Sequence, residues 1–448
     1  MEKSRRKSTV VSFLRSKMRL TALLLAALLA GCAGETPAET APPTNAPQAE
    51  APVTPPAVTP PAEDKPDKPL KTDDPPMPTV WVANCNEYIS LRRRPDGFSS
   101  VILTISKNGK MELLGWAERY AYVSYKGYKG YVLANYIRPV DDTWYCSDQE
   151  EIVHPAYEYT YDRMMLDMAA LEKKYPEAEM DTVGFSELSR WIPVLRIGSR
   201  DAEYHVLLQG AIHGREHTTA WLLMELVEYW LQNDILEYGD VCYHIIPMMN
   251  PDGVIISQNG TLNSQQTQIY YNDRWSGYAG RDKAAYAEMW KANGLGVDIN
   301  RNFSAGWEKL NSRRNPSSEL YRGNAPFSTK EARALRDYTL AYDFDATLSY
   351  HATGSVIYHH YGDDVLLNEQ AKSLAQAVCD VSGYVLMGDS QVDGGGYKDW
   401  AMDALGIPSI TVEIGSQDTV LQERELYSLF ARNYLVLPQL ARWLQQEA

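Results

Sequence analysis

The hydrophobic pattern divides the 448 residues into regions of different character. Residues 79–139 alternate apolar and polar positions in short segments, and turn residues such as Pro95-Asp96-Gly97 separate these segments. This pattern is typical of a small antiparallel barrel. From residue 152 to residue 448, strand-like and helix-like segments alternate instead. That alternation predicts an α/β domain in which helices flank a largely parallel or mixed sheet.

Segment lengths and periodicities identify individual elements of the α/β region. Three segments have helical patterns, and Ser328 with Glu331 forms a predicted capping box at the start of the second. Four short β-branched or apolar runs have the length of strands. The predicted helices cover residues 162–175, about 328–342 and about 424 onward, and the predicted strands cover residues 191–197, 241–247, 346–350 and 409–412.

A further strand, residues 204–208, is followed by a turn that contains His213 and by a helix that begins at Glu216. This helix carries apolar residues at intervals of three and four, which gives it one buried face. Imidazole nitrogen and carboxylate oxygen are zinc donors, and a catalytic zinc site uses three protein ligands and leaves a fourth position for water. His213 and Glu216 therefore predict the first half of a metal site.

The third ligand must come from another part of the chain. His351 is the first candidate because it ends a predicted strand, and ligands collect at the carboxyl ends of strands in open α/β sheets. His359 and His360 end the next strand and are second choices. His217 lies four positions after His213, but His213 precedes the helix, so the two do not share one helical face.

A metal-activated water also needs a general base. Glu413 directly follows a predicted strand over residues 410–412, so the sheet would deliver its carboxylate to the same rim. A carboxylate that only caps a strand is the alternative interpretation of Glu413 taken alone.

Charge and cysteine content narrow the classes of function. The formal net charge of -15 argues against a nucleic-acid partner, and Arg92-Arg93-Arg94 is the one short basic run after residue 20. Cys85 and Cys146 could pair across the barrel segment in an oxidising compartment. Buried free thiols are expected at Cys242 and Cys379, and packed or solvated imidazoles at His154, His205 and His244.

The N-terminus has the pattern of a targeting segment. Several basic residues precede an apolar run over residues 20–30, which is too short to span a bilayer and predicts a signal peptide over residues 1–31. The ending Leu29-Ala30-Gly31-Cys32 resembles a bacterial lipobox, which implies a membrane-anchored lipoprotein with lipid on Cys32. An ordinary signal peptide is the alternative. Residues 32–78 are rich in proline and poor in large apolar residues, which predicts a disordered linker.

The barrel segment resembles a bacterial SH3-type domain over residues 79–139. The resemblance rests on Ile89-Ser90-Leu91-Arg92, Asn108-Gly109-Lys110, Tyr122-Val123-Ser124-Tyr125 and the run from Gly130 to Ile137. Such domains commonly bind cell-wall peptides, so the resemblance implies a targeting role. A structural spacer is the alternative, because fold alone does not set function.

Six motifs in order make residues 152–448 similar to the zinc carboxypeptidases. They are His213-Gly214-Arg215-Glu216, Asn250-Pro251-Asp252-Gly253, the run from Gly296 to Phe303, Tyr321-Arg322-Gly323 with Pro326-Phe327-Ser328, Ser349-Tyr350-His351 and Thr411-Val412-Glu413. The resemblance implies one Zn²⁺ held by His213, Glu216 and His351. It also implies that Glu413 is the general base and later the proton donor to the leaving amine.

The same resemblance implies roles for neighbouring residues. Asn300 and Arg301 would hold a substrate carboxylate, for which the arginine fork is suited, and Arg215 would lie beside the developing oxyanion. Lys291 stands where the family has an arginine after tryptophan, and it supplies a charge without a fork. Lys398 falls at the position that selects the terminal side chain of the substrate, where a cation would favour an anionic group on that side chain. A solvated surface lysine is the alternative.

Three segments resemble one bacterial branch of the family, the γ-D-glutamyl-L-diamino acid endopeptidases. They are residues 290–293, residues 296–307 and residues 394–400, whereas Gln391 stands at the position of the lid tyrosine of digestive carboxypeptidases. The expected function is hydrolysis of peptidoglycan stem peptides at the cell envelope. Two alternatives are a metallocarboxypeptidase for ordinary peptides and a non-catalytic wall-binding lipoprotein.

Overall fold

A computed structural model describes residues 70–140, 151–154, 158–389, 394–415, 421 and 423–447. The predicted signal peptide, Cys32, the first part of the linker, Cys146 and Gln391 lie outside these ranges. Within them, no helix combines the length and the apolar character needed to cross a membrane.

The first folded region is a seven-stranded sheet in which neighbouring strands pair antiparallel. Its fully buried core includes Trp81, Leu91 and Val123, which alternate with more exposed positions as a half-buried sheet requires. The predicted small all-β region is confirmed. Its strands are β1 (Val80–Ala83), β2 (Tyr88–Arg92), β3 (Val101–Ser106), β4 (Lys110–Ala117), β5 (Tyr120–Tyr125), β6 (Tyr128–Leu133) and β7 (Ile137–Pro139), in the order β3-β2-β6-β5-β4-β1-β7.

The second region is built on an eight-stranded mixed sheet. Its strands are β8 (Ala178–Phe185), β9 (Trp191–Ile197), β10 (Tyr204–Gln209), β11 (Val241–Ile246), β12 (Ala346–Ala352), β13 (Val356–Tyr358), β14 (Val385–Leu386) and β15 (Ser409–Ile414). The spatial order is β14-β13-β15-β12-β10-β11-β9-β8. Strands β11, β10, β12 and β15 run parallel, whereas β9 and β13 pair antiparallel with their inner neighbours. The predicted mixed sheet is confirmed.

Helices cover both faces of this sheet. Along β10, Val206 and Leu208 enter one buried cluster while Leu207 enters another, as the two-residue period of a strand dictates. The helices are α1 (Tyr161–Lys174), α2 (Thr218–Gln232), α3 (Pro251–Asn259), α4 (Ser264–Trp275), α5 (Lys283–Glu288), α6 (Lys330–Ala341), α7 (Val365–Ser382), α8 (Tyr397–Leu405), α9 (Leu426–Asn433) and α10 (Val436–Glu447).

The predicted capping box at the start of α6 is wrong by one residue. Thr329 is the cap, and its hydroxyl accepts a hydrogen bond from the first turn of the helix. Ser328 is engaged elsewhere, because its hydroxyl accepts a hydrogen bond from Asn302 at 2.9 Å. Glu331 does not reach back to the cap either, since its carboxylate accepts a hydrogen bond from the Asn293 amide at 3.1 Å.

Residues 70–78, at the end of the predicted linker, lie against the α/β region. The backbone N–H of Lys71 donates to the Glu237 carbonyl at 2.8 Å, and the Tyr238 hydroxyl donates to the Asp73 carbonyl at 2.9 Å. Asp74 forms an ion pair with Arg442. The chain therefore contacts the α/β region before β1 begins.

Candidate metal centre

The candidate centre lies where three parallel strands end. Strand β11 lies on one side of β10, whereas β12 and then β15 lie on its other side. The order of the strands therefore reverses next to β10. Such a reversal opens a crevice at the carboxyl ends of the strands. His213 follows β10, His351 is near the end of β12, and Glu413 is near the end of β15.

The turn between β10 and α2 is held by backbone contacts with α3. A side chain at Gly214 would place a Cβ only 2.4 Å from the Gly253 backbone, so glycine alone permits this approach. The Asn250 amide donates to the carbonyls of Ile212 at 3.1 Å and Ala292 at 3.0 Å. The motif from Asn250 to Gly253 therefore shapes the turn that presents His213.

Three buried side chains converge at this rim. His213 Nδ1 lies 2.9 Å from Glu216 Oε1, and His351 Nδ1 lies 2.9 Å from Glu216 Oε2. The two Nδ1 atoms are 3.2 Å apart. All three donor atoms fall within 4.8 Å of one another. The structure thus brings together the three residues that the sequence named as ligands.

This donor set fits a zinc ion. Two imidazole nitrogens and one carboxylate form the three-ligand set of catalytic zinc sites, and ligand distances of about 2.0–2.2 Å suit donors separated as closely as these. The Nδ1 atoms of His213 and His351 face each other, so a proton or a cation must lie between their lone pairs. A Zn²⁺ ion held by these residues would satisfy both rings and the Glu216 carboxylate together.

The charges around the centre favour a cation. Burial would lower the pKa of His213, but the Glu216 and Asp298 carboxylates outweigh it and raise that pKa to about 9. Burial opposes ionisation of Glu216 as well, yet the neighbouring imidazoles and Lys291 hold its pKa well below the usual range. Because the site stabilises positive charge on the His213 imidazole, it also favours a metal ion beside this ring.

Asp298, for which no role is predicted, lies behind His213 in the candidate centre. Its Oδ1 lies 3.2 Å from His213 Nε2, on the side of the ring opposite Glu216. Its Oδ2 accepts the backbone N–H of Leu320 at 3.0 Å, which fixes the carboxylate. A carboxylate behind a ligating histidine orients the ring and strengthens it as a ligand. The signal was present, because Asp298 lies two residues before Asn300 in one of the six motifs.

Glu413 faces the donor group from the neighbouring strand. It pairs in register with His351 across β12 and β15. Burial raises the pKa of the Glu413 carboxyl and the Glu216 carboxylate adds to the rise, while His351 and Lys291 act in the opposite direction. A carboxylate with a raised pKa is a stronger base than an exposed one.

The predicted cations around the centre differ in placement. Lys291 Nζ lies 3.5 Å from Glu216 Oε1, so its charge faces the donor group directly. The Arg215 guanidinium instead lies 3.5 Å from the Met289 carbonyl and 3.9 Å from Glu319. Of the two candidates for the oxyanion group, Lys291 is therefore the one in contact with a ligand.

The predicted carboxylate-binding pair lies beside the ligands. Asn300 Nδ2 is 3.3 Å from His351 Nε2, and Asn300 Oδ1 accepts the backbone N–H of Tyr397 at 3.0 Å. Arg301 Nε lies 3.8 Å from Asp298 Oδ2, and its Nη1 donates to the Asn311 carbonyl at 3.2 Å. Asn300 thus connects a ligand to the start of α8.

Lys398 differs from the predicted lone cation. Its ammonium lies 2.6 Å from Asp399 Oδ1 and donates to the His360 carbonyl at 3.0 Å. Burial raises the pKa of Asp399, and the Lys398 charge counteracts it. Lys398 and Asp399 are consecutive residues in the first turn of helix α8, and their side chains form an ion pair.

The alternative ligands lie elsewhere. Within the described ranges, the group around Glu216 does not include His217, His359 or His360. His359 Nε2 lies 3.1 Å from the Met387 carbonyl, between β13 and β14.

A mixed sheet that brings this donor set and a carboxylate to one rim defines a metal-dependent hydrolase. A model of the zinc carboxypeptidase family matches residues 164–435, and the chain belongs to this family of zinc-dependent metallopeptidases. It is 30% identical over 295 residues to γ-D-glutamyl-L-diamino acid endopeptidase 1 of Lysinibacillus sphaericus, covering 62% of this chain and 71% of that protein.

Animal members of the family are also similar. The chain is 26% identical over 295 residues to carboxypeptidase B of Astacus astacus, covering 60% of this chain and 90% of that protein. The crystal structure of carboxypeptidase A from Helicoverpa armigera superposes with a TM-score of 0.50 at 21% identity, covering 67% of this chain and 78% of that one. This likeness shows a shared fold.

Proposed function

We propose that this metallopeptidase hydrolyses peptidoglycan stem peptides at the bond between D-glutamate and the diamino acid. The observation that carries peptide hydrolysis is the grouping of His213, Glu216 and His351 with Glu413 in register beside them. The similarity to an endopeptidase named for the γ-D-glutamyl-L-diamino acid bond supports the choice of substrate.

The chemistry divides between the metal and the base. Zn²⁺ held by His213, Glu216 and His351 would polarise the scissile carbonyl and lower the pKa of water. Glu413 takes a proton from the attacking water and later gives it to the leaving amine. Its raised pKa suits both steps, because the same carboxylate must accept a proton and then release it.

The cations and Asn300 position the substrate in this proposal. Lys291 stabilises negative charge on the carbonyl oxygen, since its ammonium already faces the ligand Glu216 at 3.5 Å. Arg301, whose side chain is 22% exposed, presents its guanidinium to a substrate carboxylate together with Asn300. Arg215, whose guanidinium lies by the Met289 carbonyl and Glu319, is the second candidate for the oxyanion group.

The ion pair of Lys398 and Asp399 suggests how the diamino acid is recognised. The far end of diaminopimelate carries both a carboxylate and an ammonium. The pair of Lys398 and Asp399 offers a partner for each charge, whereas a lone lysine would match only the carboxylate. Their side chains remain 10% and 12% exposed.

The barrel and the N-terminal segment fit the same envelope function. The barrel carries a groove of about 280 Å³ lined by Tyr88, Arg92, Tyr120 and Tyr136 among others. Aromatic rings and an arginine suit an acidic wall peptide, so we assign the SH3-type barrel to wall binding. Lipid on Cys32 would tether the protein to the outer face of the membrane.

The test is a comparison of two substrates with the purified, zinc-loaded protein. The kcat/KM for a stem peptide that contains γ-D-glutamyl-diaminopimelate should exceed that for peptides ending in phenylalanine or lysine. Preference for the ordinary peptides would replace the proposal with a carboxypeptidase function. Hydrolysis of neither substrate would favour a wall-binding protein without catalysis.

A further inference from the structure

A second group of metal donors lies near the amino ends of two inner strands of the same sheet, away from the candidate catalytic centre. His205 is the second residue of β10, and Cys242 and His244 are the second and fourth residues of β11. Their donor atoms all fall within 4.8 Å of one another, as do those of the candidate catalytic centre. We propose that His205, Cys242 and His244 form a second zinc site. The sequence predicts packed or solvated histidines and a buried free thiol at these positions.

The backbone register fixes these residues on one face. Parallel pairing sets His205 beside Cys242 and Leu207 beside His244. Residues two apart on a strand share a face, so all three donors lie on the face that Leu207 occupies. The catalytic ligands lie at the carboxyl ends of the strands, whereas this group lies near their amino ends. The two sites are therefore separated by the length of the sheet.

Hydrogen bonding aims the two imidazoles at each other. His244 Nδ1 lies 2.7 Å from the Tyr338 hydroxyl, which leaves Nε2 to face His205 Nδ1 at 3.0 Å. When Nδ1 of His244 donates to Tyr338, its Nε2 carries a lone pair, and His205 Nδ1 either donates a hydrogen bond to it or, in the other tautomer, offers a second lone pair. Zinc binds imidazole at about 2.0–2.1 Å and thiolate at about 2.3 Å, so one ion can satisfy both rings and Cys242. Without a cation, a proton between the rings fills this position.

Zinc binding at this site exchanges a proton. The Cys242 thiol is buried, so zinc displaces its proton and releases it to solvent as the Zn–S bond forms. The binding reaction then balances: one Zn²⁺ enters and one proton leaves.

The surroundings permit a cation despite a nearby arginine. Arg196 pairs in register with His244 from β9, but its guanidinium is engaged by Asp181 at 2.9 Å and Glu179 at 3.1 Å. His205 is only partly buried, so the site is accessible to solvent at this side chain. Three aspartates, Asp201, Asp240 and Asp343, lie close enough to influence His205 electrostatically.

Metal counting gives the first test. The full chain is stripped with a chelator, reloaded with Zn²⁺ alone, dialysed and analysed for zinc by mass spectrometry. The proposal expects about two zinc ions per folded chain, and about one for the double variant His205→Gln/Cys242→Ser with its kcat/KM unchanged. One ion in the wild type, or two in the variant, overturns it. Circular dichroism establishes that the variant is folded, and the single variant His205→Gln, at a partly exposed position, replaces it if it is not.

Cobalt substitution identifies the sulfur ligand directly. Thiolate bound to Co²⁺ gives a charge-transfer absorption, which the His213, Glu216 and His351 set cannot give because it has no sulfur. The wild-type protein should show this band with Co²⁺, and Cys242→Ser should lose it. Absence of the band in the wild type, or its persistence in Cys242→Ser, overturns the site without bearing on the catalytic centre.

Discussion

At the scale of single residues, the candidate catalytic centre depends on carboxylates that surround two imidazoles. Glu216 contacts both His213 and His351 at 2.9 Å, and Asp298 contacts His213 from the opposite side. The Glu216 and Asp298 carboxylates therefore favour positive charges within the group. A divalent cation supplies them.

Replacement of Asp298 tests this balance of charge. Asp298→Asn keeps the size of the side chain but removes the charge behind His213, so zinc affinity should fall by about 10- to 100-fold. Competition with a chelator of known affinity measures the change. The matched control is Asp162→Asn, an exposed carboxylate in the first turn of α1. Equal affinity for both variants would show that Asp298 has no part in metal binding.

Replacement of Glu413 separates catalysis from metal binding. Glu413→Gln should lower kcat by about 10²- to 10⁴-fold because the amide cannot accept the proton from water. Its zinc content should stay that of the wild type. Glu112→Gln, at an exposed position on β4, should leave both quantities unchanged. Wild-type turnover by Glu413→Gln would remove this residue from the mechanism.

At the scale of elements, local patterns predicted the inner strands and the order of the ligands. Strands β9 to β12 and β15 are buried runs, and their ends place His213, His351 and Glu413 at one rim. Strand β8 escaped prediction because it is a mostly polar, partly exposed edge strand that forms against β9. Asp298 stands in one of the six motifs, but its contact with His213 spans 85 positions, so the motif alone does not show which residue it supports.

Helix α6 makes stability depend on pH through Glu331. Burial raises the pKa of this carboxyl from 4.5 to about 7. Between these values the folded protein retains the proton and the unfolded chain releases it, so stability falls as pH rises through this window. Glu331→Gln should lack this fall. Relative to the wild type, its free energy of unfolding should improve by about 3 kcal/mol from about pH 4 to about pH 8.

Denaturant unfolding of both proteins across that pH range measures the effect. A constant difference between wild type and Glu331→Gln would mean that Glu331 ionises equally in the folded and unfolded states.

The turn before α2 gives a second prediction at this scale. Gly214→Ala puts a methyl group 2.4 Å from the Gly253 backbone, so the turn that carries His213 must move. We expect a loss of about 1 to 3 kcal/mol in the free energy of unfolding and a lower affinity for zinc. Gly388→Ala is the control because a Cβ there meets nothing within 4 Å. The same stability for both variants would exclude a tight turn.

At the scale of the whole molecule, the barrel and the α/β region fold against each other. Residues 70–447 group as one compact unit. A Cβ at Gly383 would lie 2.6 Å from the Trp116 side chain, and the Arg432 guanidinium lies 5.9 Å from the Trp116 ring. Arg432 also donates to Ser355 Oγ at 3.2 Å, and Ser355 donates to the Gly415 carbonyl at 2.6 Å. The barrel thus contacts the network that ends two residues after Glu413.

This contact predicts cooperative unfolding. The wild-type protein should show one calorimetric transition. Trp116→Ala should lower the free energy of unfolding by about 1 to 3 kcal/mol, and the melting temperature should fall with it. Two separate transitions in the wild type would mean that the barrel unfolds independently.

The zinc centre is proposed to cut the γ-D-glutamyl bond of stem peptides. The most direct measurement is the mass of the products formed from a tetrapeptide with the sequence L-alanine, D-glutamate, diaminopimelate and D-alanine. The zinc-loaded protein should release two dipeptides, L-alanyl-D-glutamate and diaminopimelyl-D-alanine, and neither chelator-treated protein nor Glu413→Gln should release them. Release of free D-alanine and the intact tripeptide would contradict the account.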